Sequence, residues 1–159
     1  MRIFSPEERK QFYENLPRKR VGAAVLFLNE RGALLIVRPG YRDDGWIVPG
    51  GVVDKDESPK AAALREVREE LGIDIPDMKF LGVGYMPDDG TGERIQFIFF
   101  GGILSDEQSA QVRIQDSELE EMKFVSLDEA LRLLRPNLRT RMRNCFNAIQ
   151  RNAPIYLEE

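Results

Sequence analysis

The alternation of apolar and polar positions predicts strands and helices interleaved along the chain. Val21 to Leu28 is an apolar run rich in strand formers, Asn29-Glu30-Arg31-Gly32 is a turn, and Ala33 to Val37 is a second apolar run, which together predict a hairpin. Residues 39–49 predict a loop and a short strand. Lys79 to Met86 and Glu93 to Leu104 predict two further strands joined by Pro87-Asp88-Asp89-Gly90-Thr91-Gly92. In the second of these, Ile95, Phe97 and Phe99 share one parity and Gln96, Ile98 and Phe100 the other. Two largely apolar faces suit a central sheet held between helices. Met122 to Val125 predicts a last strand.

Helix signals lie between these runs. Ser5-Pro6-Glu7-Glu8 reads as a capping box and predicts a helix over 6–15, ended by Pro17. Ser58, Pro59 and Gly72 bracket a second helix, with Gly72 able to take the left-handed conformation that closes it. Ser126-Leu127-Asp128-Glu129 opens a third, running to about Arg135 and stopped by Pro136. Leu138 to Arg151 predicts a final helix with Leu138, Met142, Cys145, Phe146 and Ile149 as its apolar stripe. Residues 105–121 read as acidic and irregular, with Asp116 among the acids, and the tail after Ala153 carries no signal.

The helix after Ser58 has the most unusual pattern. Ala63, Leu64, Val67 and Leu71 form an apolar stripe, while Glu66, Glu69 and Glu70 share the opposite face, with small Ala62 beside them. A glycine turn, Gly50-Gly51, leads towards it and permits close backbone approach to a ligand. Such an acidic stripe is ordinarily a solvated face, where like charges at this spacing cost only about 0.2–0.5 kcal/mol each. In a partly dry cleft, two carboxylates ~6 Å apart at an effective dielectric of ~20 repel by roughly 3 kcal/mol. There the cluster needs a cation, and hard oxygen ligands favour Mg²⁺ or Mn²⁺.

The spacing is more specific than the charge. From Gly51, five residues pass before Glu57 and seven more before Arg65-Glu66, followed by Val67, Arg68, Glu69-Glu70, Leu71, Gly72 and Ile73. This resembles the Nudix box, G-x5-E-x7-R-E-U-x-E-E-x-G-U with U aliphatic, and every defined position is filled. Seven fixed residues at average usage match a given window by chance with a probability on the order of 10⁻⁸. The chain is therefore identified as a member of the Nudix hydrolase family.

Composition narrows the picture further. The 159 residues suit one domain over 1–159, and 42% hydrophobic with 31% charged residues is a globular balance. A formal net charge of −4 argues mildly against tight non-specific nucleic-acid binding. The lone Cys145 cannot form an intrachain disulfide, no apolar run approaches a membrane span, and no signal peptide is visible, so the cytoplasm is the expected compartment. Histidine is absent, which excludes a Ser-His-Asp triad, a Cys-His pair and a histidine zinc site. Any general base must be a carboxylate, Lys, Tyr or metal-bound hydroxide.

The resemblance implies an α/β (α+β) fold, an α/β/α sandwich with a mixed central sheet, and hydrolysis of a phosphoanhydride in a nucleotide-like substrate. It implies Mg²⁺ (or Mn²⁺) held by Glu66, Glu69 and Glu70 with a backbone carbonyl at Gly50 or Gly51. Glu57 and Arg65 would play supporting roles, and Arg65 can pair with Glu69 four residues on. A further carboxylate is expected before the last strand, with Glu118 favoured over Glu120 and Glu121. The resemblance leaves Arg38 evenly placed between a phosphate contact and an exposed loop residue. Tyr41 and Trp46 are candidates for stacking on a base, though Trp46 more often packs against a fold. Arg18-Lys19-Arg20 and the arginines at 132, 135, 139, 141, 143 and 151 read first as solvated charge and second as phosphate contacts. The resemblance also places the loop from Pro87 to Gly92 near the substrate. Pro87 lies fourteen residues past Ile73, near where some ADP-ribose cleavers carry a proline. Nucleoside triphosphate, ADP-ribose and nucleotide sugar stay open as substrates, as do monomer and homodimer. Two other functions stay open: a Nudix-fold protein that senses a nucleotide without cleaving it, and an RNA 5′-end pyrophosphohydrolase.

Overall fold

The computed structural model describes residues 4–41, 44–115 and 118–158. Arg42, Asp43 and Asp116, which the sequence places in loops, lie outside the described residues. The elements in chain order are α1 (Pro6–Glu14), β1 (Arg20–Asn29), β2 (Leu34–Pro39), β3 (Gly50–Val52), α2 (Pro59–Leu71), β4 (Lys79–Met86), β5 (Arg94–Leu104), α3 (Asp106–Gln111), β6 (Leu119–Val125), α4 (Leu127–Leu133), α5 (Pro136–Arg151) and β7 (Ile155–Glu158).

The strands form a mixed seven-stranded sheet in the order β6-β2-β1-β5-β4-β7. β3 leaves this path and pairs antiparallel with the first half of β1, setting Ala23 opposite Gly51. β1 runs parallel to β5 in a long ladder that sets Arg20 opposite Arg94. Helices cover both faces, as the two apolar parities of β5 require. On one face Ala23, Val25, Phe27, Leu35, Val37 and Phe99 pack with Ala62, Ala63, Val67 and Leu71 of α2. On the other, Leu26, Leu34, Ile36 and Ile98 pack with Leu134 and with Met142, Cys145 and Ala148 of α5.

The capping signals read from the sequence are present. Ser5 and Glu8 form a reciprocal capping box on α1. Ser58 caps α2 by accepting from the Ala61 N–H, and Gly72 closes that helix at φ 67°. Six features differ from expectation. The glycine pair is not a turn but the start of β3, whose few residues carry no side-chain pattern to announce it; the short strand expected within 39–49 is reduced to single bridges from Trp46 and Ile47. Ala62 is not beside an open acidic surface but fully buried under the sheet. Pro136 both ends the stretch after α4 and begins α5 two residues earlier than expected. The acidic segment begins with a short helix, α3, capped by Ser105 and Gln108. The tail forms β7, parallel to β4.

Candidate active site

The box folds as a strand, a loop and a helix around one guanidinium. Arg65 donates to Glu57 through Nε and Nη2 at 3.0 Å each, and through Nη1 to Glu66 at 2.8 Å and Glu69 at 3.1 Å. Its Nη2 also reaches the Val52 carbonyl at 3.1 Å, tying α2 to β3. The three carboxylates hold the Arg65 proton more firmly than usual, Glu57 contributing most. In return, the Arg65 guanidinium and then the Asp54 N–H hold the Glu57 carboxyl below its ordinary range. Glu66 goes the other way: burial pushes its carboxyl up, against the pull of Arg65.

The acidic face is not uniform. A helical step of 100° places Glu66 and Glu70 close together and turns Glu69 outward. Glu70 is 7% exposed and accepts from the Gly50 N–H at 2.8 Å, whereas the Glu69 side chain is 53% exposed. Glu66 lies against Gly51, where an added Cβ would come within 2.5 Å of the Glu66 carboxyl carbon. Any larger residue at 51 would push the Glu66 carboxyl away, whereas glycine at 50 is required by a φ of 137°. Among the described residues, no three ligand side chains converge closely enough to hold an ion as they stand. The reason is that Arg65 draws Glu57, Glu66 and Glu69 to itself, while Glu70 is bonded to the strand. The donor set nonetheless fits a hard divalent cation. It consists of carboxylate oxygens, those of Glu66 and Glu70 drawn out of water, beside a strand whose missing side chains leave its backbone accessible.

On the opposite face of β3 opens a cleft of about 340 Å³, bounded by β1, β5 and α5. Gly50, Gly51 and Val52 form its wall, so β3 separates the box carboxylates from the cleft by the thickness of one strand. The other walls are strongly cationic: Arg20 from β1, Arg94 from β5, and Arg135 and Arg141 from the start of α5. Arg141 is 6% exposed and donates to the Met86 sulfur at 2.9 Å. Arg94 bonds Asp89 at 2.7 Å, Arg20 bonds the Thr91 hydroxyl at 3.2 Å, and Arg135 pairs with Asp44 at 2.8 Å. On the floor, the Gln96 carboxamide oxygen accepts from the Ala23 and Ala24 N–H groups at 3.1 Å, an orientation assigned from its hydrogen-bonding surroundings.

The residues singled out in the sequence fall in different places. Tyr41 lines the cleft and is 63% exposed. Trp46 does not: it is buried in the α5-side core, with Lys123 over its ring at 4.6 Å, because its own bridge to Leu134 and the bridge from its neighbour Ile47 to Val37 draw that segment onto the sheet. Arg38 also lies off the cleft lining, paired with Glu121 and, at 3.0 Å, with Glu120 across the β2–β6 ladder. Glu118 stands exposed at the turn into β6, its carbonyl accepting from the Gly40 N–H at 2.7 Å. The segment 87–92 reaches the cleft mouth through Asp89 and Thr91. Sequence reasoning gave phosphate contact only as the second reading of Arg20, Arg135 and Arg141, and it missed Arg94. Arg20, Arg135 and Arg141 sat in basic runs that read as solvent-facing, and Arg94 had no signal beyond an odd charge opening a strand.

A family model described as the NUDIX domain matches residues 18–148, and the chain belongs to the Nudix hydrolase family. It is 32% identical over 131 residues to the putative 8-oxo-dGTP diphosphatase of Bacillus subtilis, covering 81% of each protein. It is 33% identical over 115 residues to Nudix hydrolase 5 of Arabidopsis thaliana, covering 69% of this chain and 37% of the plant protein. The chain thus spans little more than a third of that relative's length. Among solved structures, the MutT protein of Methanosarcina mazei superposes with a TM-score of 0.68 at 26% identity, covering 87% of this chain and 99% of that one.

Proposed function

We propose that the chain is a divalent-metal-dependent pyrophosphohydrolase that cleaves a phosphoanhydride in a nucleoside diphosphate linked to another moiety. Nucleoside triphosphate, ADP-ribose and nucleotide sugar all belong to that class. The observation that carries this reading is the two-sided β3 wall: four carboxylates on one side, four arginines on the other, and two glycines between. A diphosphate is a poor target for water because both are electron-rich, so the site must supply positive charge. The arginines supply it along the cleft, and burial of Arg141 strengthens its field by lowering the local dielectric.

Glu66, Glu69 and Glu70 would hold Mg²⁺ or Mn²⁺ together with backbone at Gly50 or Gly51. When bound, such an ion screens phosphate charge and acidifies a coordinated water. Arg65 keeps the carboxylates gathered and partly neutralised, and Glu57 fixes Arg65 in turn. Glu66 and Glu69 are better placed than Glu118 to take the proton of the attacking water, because α2 packs directly on β3. Tyr41 is the side chain in this cleft suited to stack on a base. Arg38, paired with Glu120 and Glu121, is left outside the proposed site. A cytoplasmic compartment and a monomer or homodimer complete the proposal.

The RNA 5′-end reading stands as an alternative, but part of the basic end on which it rests is engaged elsewhere. Arg135 and Arg141 turn to the cleft, while Arg139 caps carbonyls at Leu134 and Arg132. A panel of nucleoside di- and triphosphates, ADP-ribose and sugar nucleotides, incubated with Mg²⁺ or Mn²⁺, tests the proposal. Metal-dependent release of a monophosphate supports it and separates it from nucleotide sensing. Binding without turnover across the panel would leave the sensor as the function.

A further inference from the structure

The arginines do not all serve one place. Arg20 and Arg94 face each other across the β1–β5 ladder, and Ala23, which pairs with Gly51, lies three residues further along β1. At 3.3 Å per residue the Arg20–Arg94 pair is therefore about 10 Å along the strand from the glycine wall. Arg135 joins that pair in a second hollow at the mouth, together with Asp44, Asp89, Thr91 and Asn137. Two of the three guanidiniums there are engaged by aspartates: Arg94 with Asp89 at 2.7 Å and Arg135 with Asp44 at 2.8 Å. Arg94 keeps its Nε buried without a hydrogen-bond partner among the described residues, although its Nη2 is bonded.

We infer that the cleft mouth is a second anion station, formed by Arg20, Arg94 and Arg135, in which Asp89 and Asp44 stand in for phosphate until a polyphosphorylated substrate displaces them. This rests on the reading of the cleft as the substrate site. The chemistry is an exchange of anions. A carboxylate bonded to a guanidinium satisfies part of its fork, and a phosphate oxygen satisfies the same donors with more charge. The side chains of Asp44 and Asp89 are each 52% exposed, so water can take them up as they leave. Asp89 belongs to the segment between β4 and β5, where its carboxylate also accepts from the Thr91 N–H at 3.2 Å and hydroxyl at 2.6 Å. The substrate class this selects carries a phosphate beyond the scissile pair, spaced so that one end meets the glycine wall and the other meets Arg94.

Calorimetric binding of inorganic tripolyphosphate and inorganic pyrophosphate to the full chain, with divalent metal chelated, tests this without turnover. Tripolyphosphate is expected to bind at least about tenfold more tightly than pyrophosphate, about 1.4 kcal/mol by the thermal conversion. Arg94→Gln is expected to weaken tripolyphosphate at least about fivefold more than it weakens pyrophosphate, a selective loss that a general drop in net charge would not produce, and equal weakening of the two overturns the inference. Asp89→Asn keeps an oxygen for the Thr91 turn but deletes the competing charge, and tightens tripolyphosphate several-fold. Equal affinity for the two probes in the unaltered protein, or an unchanged or weaker tripolyphosphate affinity in Asp89→Asn, overturns the inference. If Arg94→Gln does not fold, the Asp89→Asn result decides. Because no hydrolysis is measured, a failed station and a failed pyrophosphohydrolase assignment are told apart.

Discussion

Replacing Gly51 with alanine separates the machinery from the scaffold. Gly51 has an ordinary backbone conformation, so alanine adds no strain of its own, but its Cβ would lie 2.5 Å from the Glu66 carboxyl carbon. The neighbour is the far end of a flexible side chain, which must retreat by roughly 1 Å to reach normal van der Waals separation. Moving it off its rotamer costs about 0.5–1.5 kcal/mol. For a chain of this size that lowers Tm by about 2–5 °C. The effect on rate is larger, since a displacement near 1 Å of a positioning group costs on the order of 100-fold. Gly50→Ala is the control. At φ 137° alanine is strained, and its Cβ would sit 2.7 Å from the Ala24 Cα and closer still to the Ala23 carbonyl, both rigid backbone. Strain of about 1–3 kcal/mol and the loss of one or two strand hydrogen bonds at about 1 kcal/mol each sum to ~2–5 kcal/mol. Its Tm should fall by about 10 °C. Thermal unfolding by circular dichroism and kcat/KM on the best substrate of the panel measure both quantities. A Gly51→Ala protein that folds normally and keeps kcat/KM within about threefold would refute the assignment of Glu66 to the reaction.

Other substitutions probe the remaining contacts. Glu70→Gln and Glu69→Gln are each expected to reduce turnover by orders of magnitude with the fold intact, and near-normal rates in both would count against these roles. Arg65→Met leaves Glu57, Glu66 and Glu69 without their shared cation; with Arg65 29% exposed, the cost is about 1–3 kcal/mol after discounting for solvent. Added Mg²⁺ should restore more Tm to this variant than to the unaltered protein, and equal shifts would contradict the fit of the carboxylates to an ion. Trp46→Ala should cost about 3–5 kcal/mol as a core truncation and leave the KM of the folded fraction unchanged, whereas a raised KM would return Trp46 to the substrate site. Glu93→Gln addresses pH. Lys19 and then Tyr85 hold the Glu93 carboxyl below its ordinary 4.5, so its contribution is present above that value and is lost as pH falls through the lowered one. Glu93 raises the Tyr85 phenol above its ordinary 10.0, so that contribution is present below 10.0 and lost as pH climbs through the raised value. The variant should therefore lie below the unaltered protein in stability between these limits and converge with it at both extremes, as read by denaturant titration at several pH values.

The parts of the fold with local causes were legible in the chain itself. Ser58, Pro59 and Gly72 each act within a turn of their own positions, and α2 begins and ends where they dictate. The two parities of β5 correctly announced helices on both sides of the sheet. What was hidden depends on meetings between distant segments. Gly50 and Gly51 carry no side-chain alternation, so only the partner strand β1 makes them a strand. Arg20, Arg94, Arg135 and Arg141 come from three elements and the end of a loop, and nothing in any one of those segments tells an arginine bound for a cleft from one bound for water. Ala62 was misplaced for a simpler reason: alanine fits both a crowded interior and a vacant surface. Glu66, Glu69 and Glu70 were identified by spacing, but their unequal burial follows from how α2 leans on β3.

The partition made by β3 also bears on how such a protein can change. On the proposed reading, side chains from β1, β5, α5 and two loops would handle recognition, and the cation would fall to a helix packed on the other face of the same sheet, behind β3. Mutations that recut the cavity for a new ligand therefore need not disturb the acidic helix, and one scaffold can drift between ligands while its hydrolytic half stays fixed.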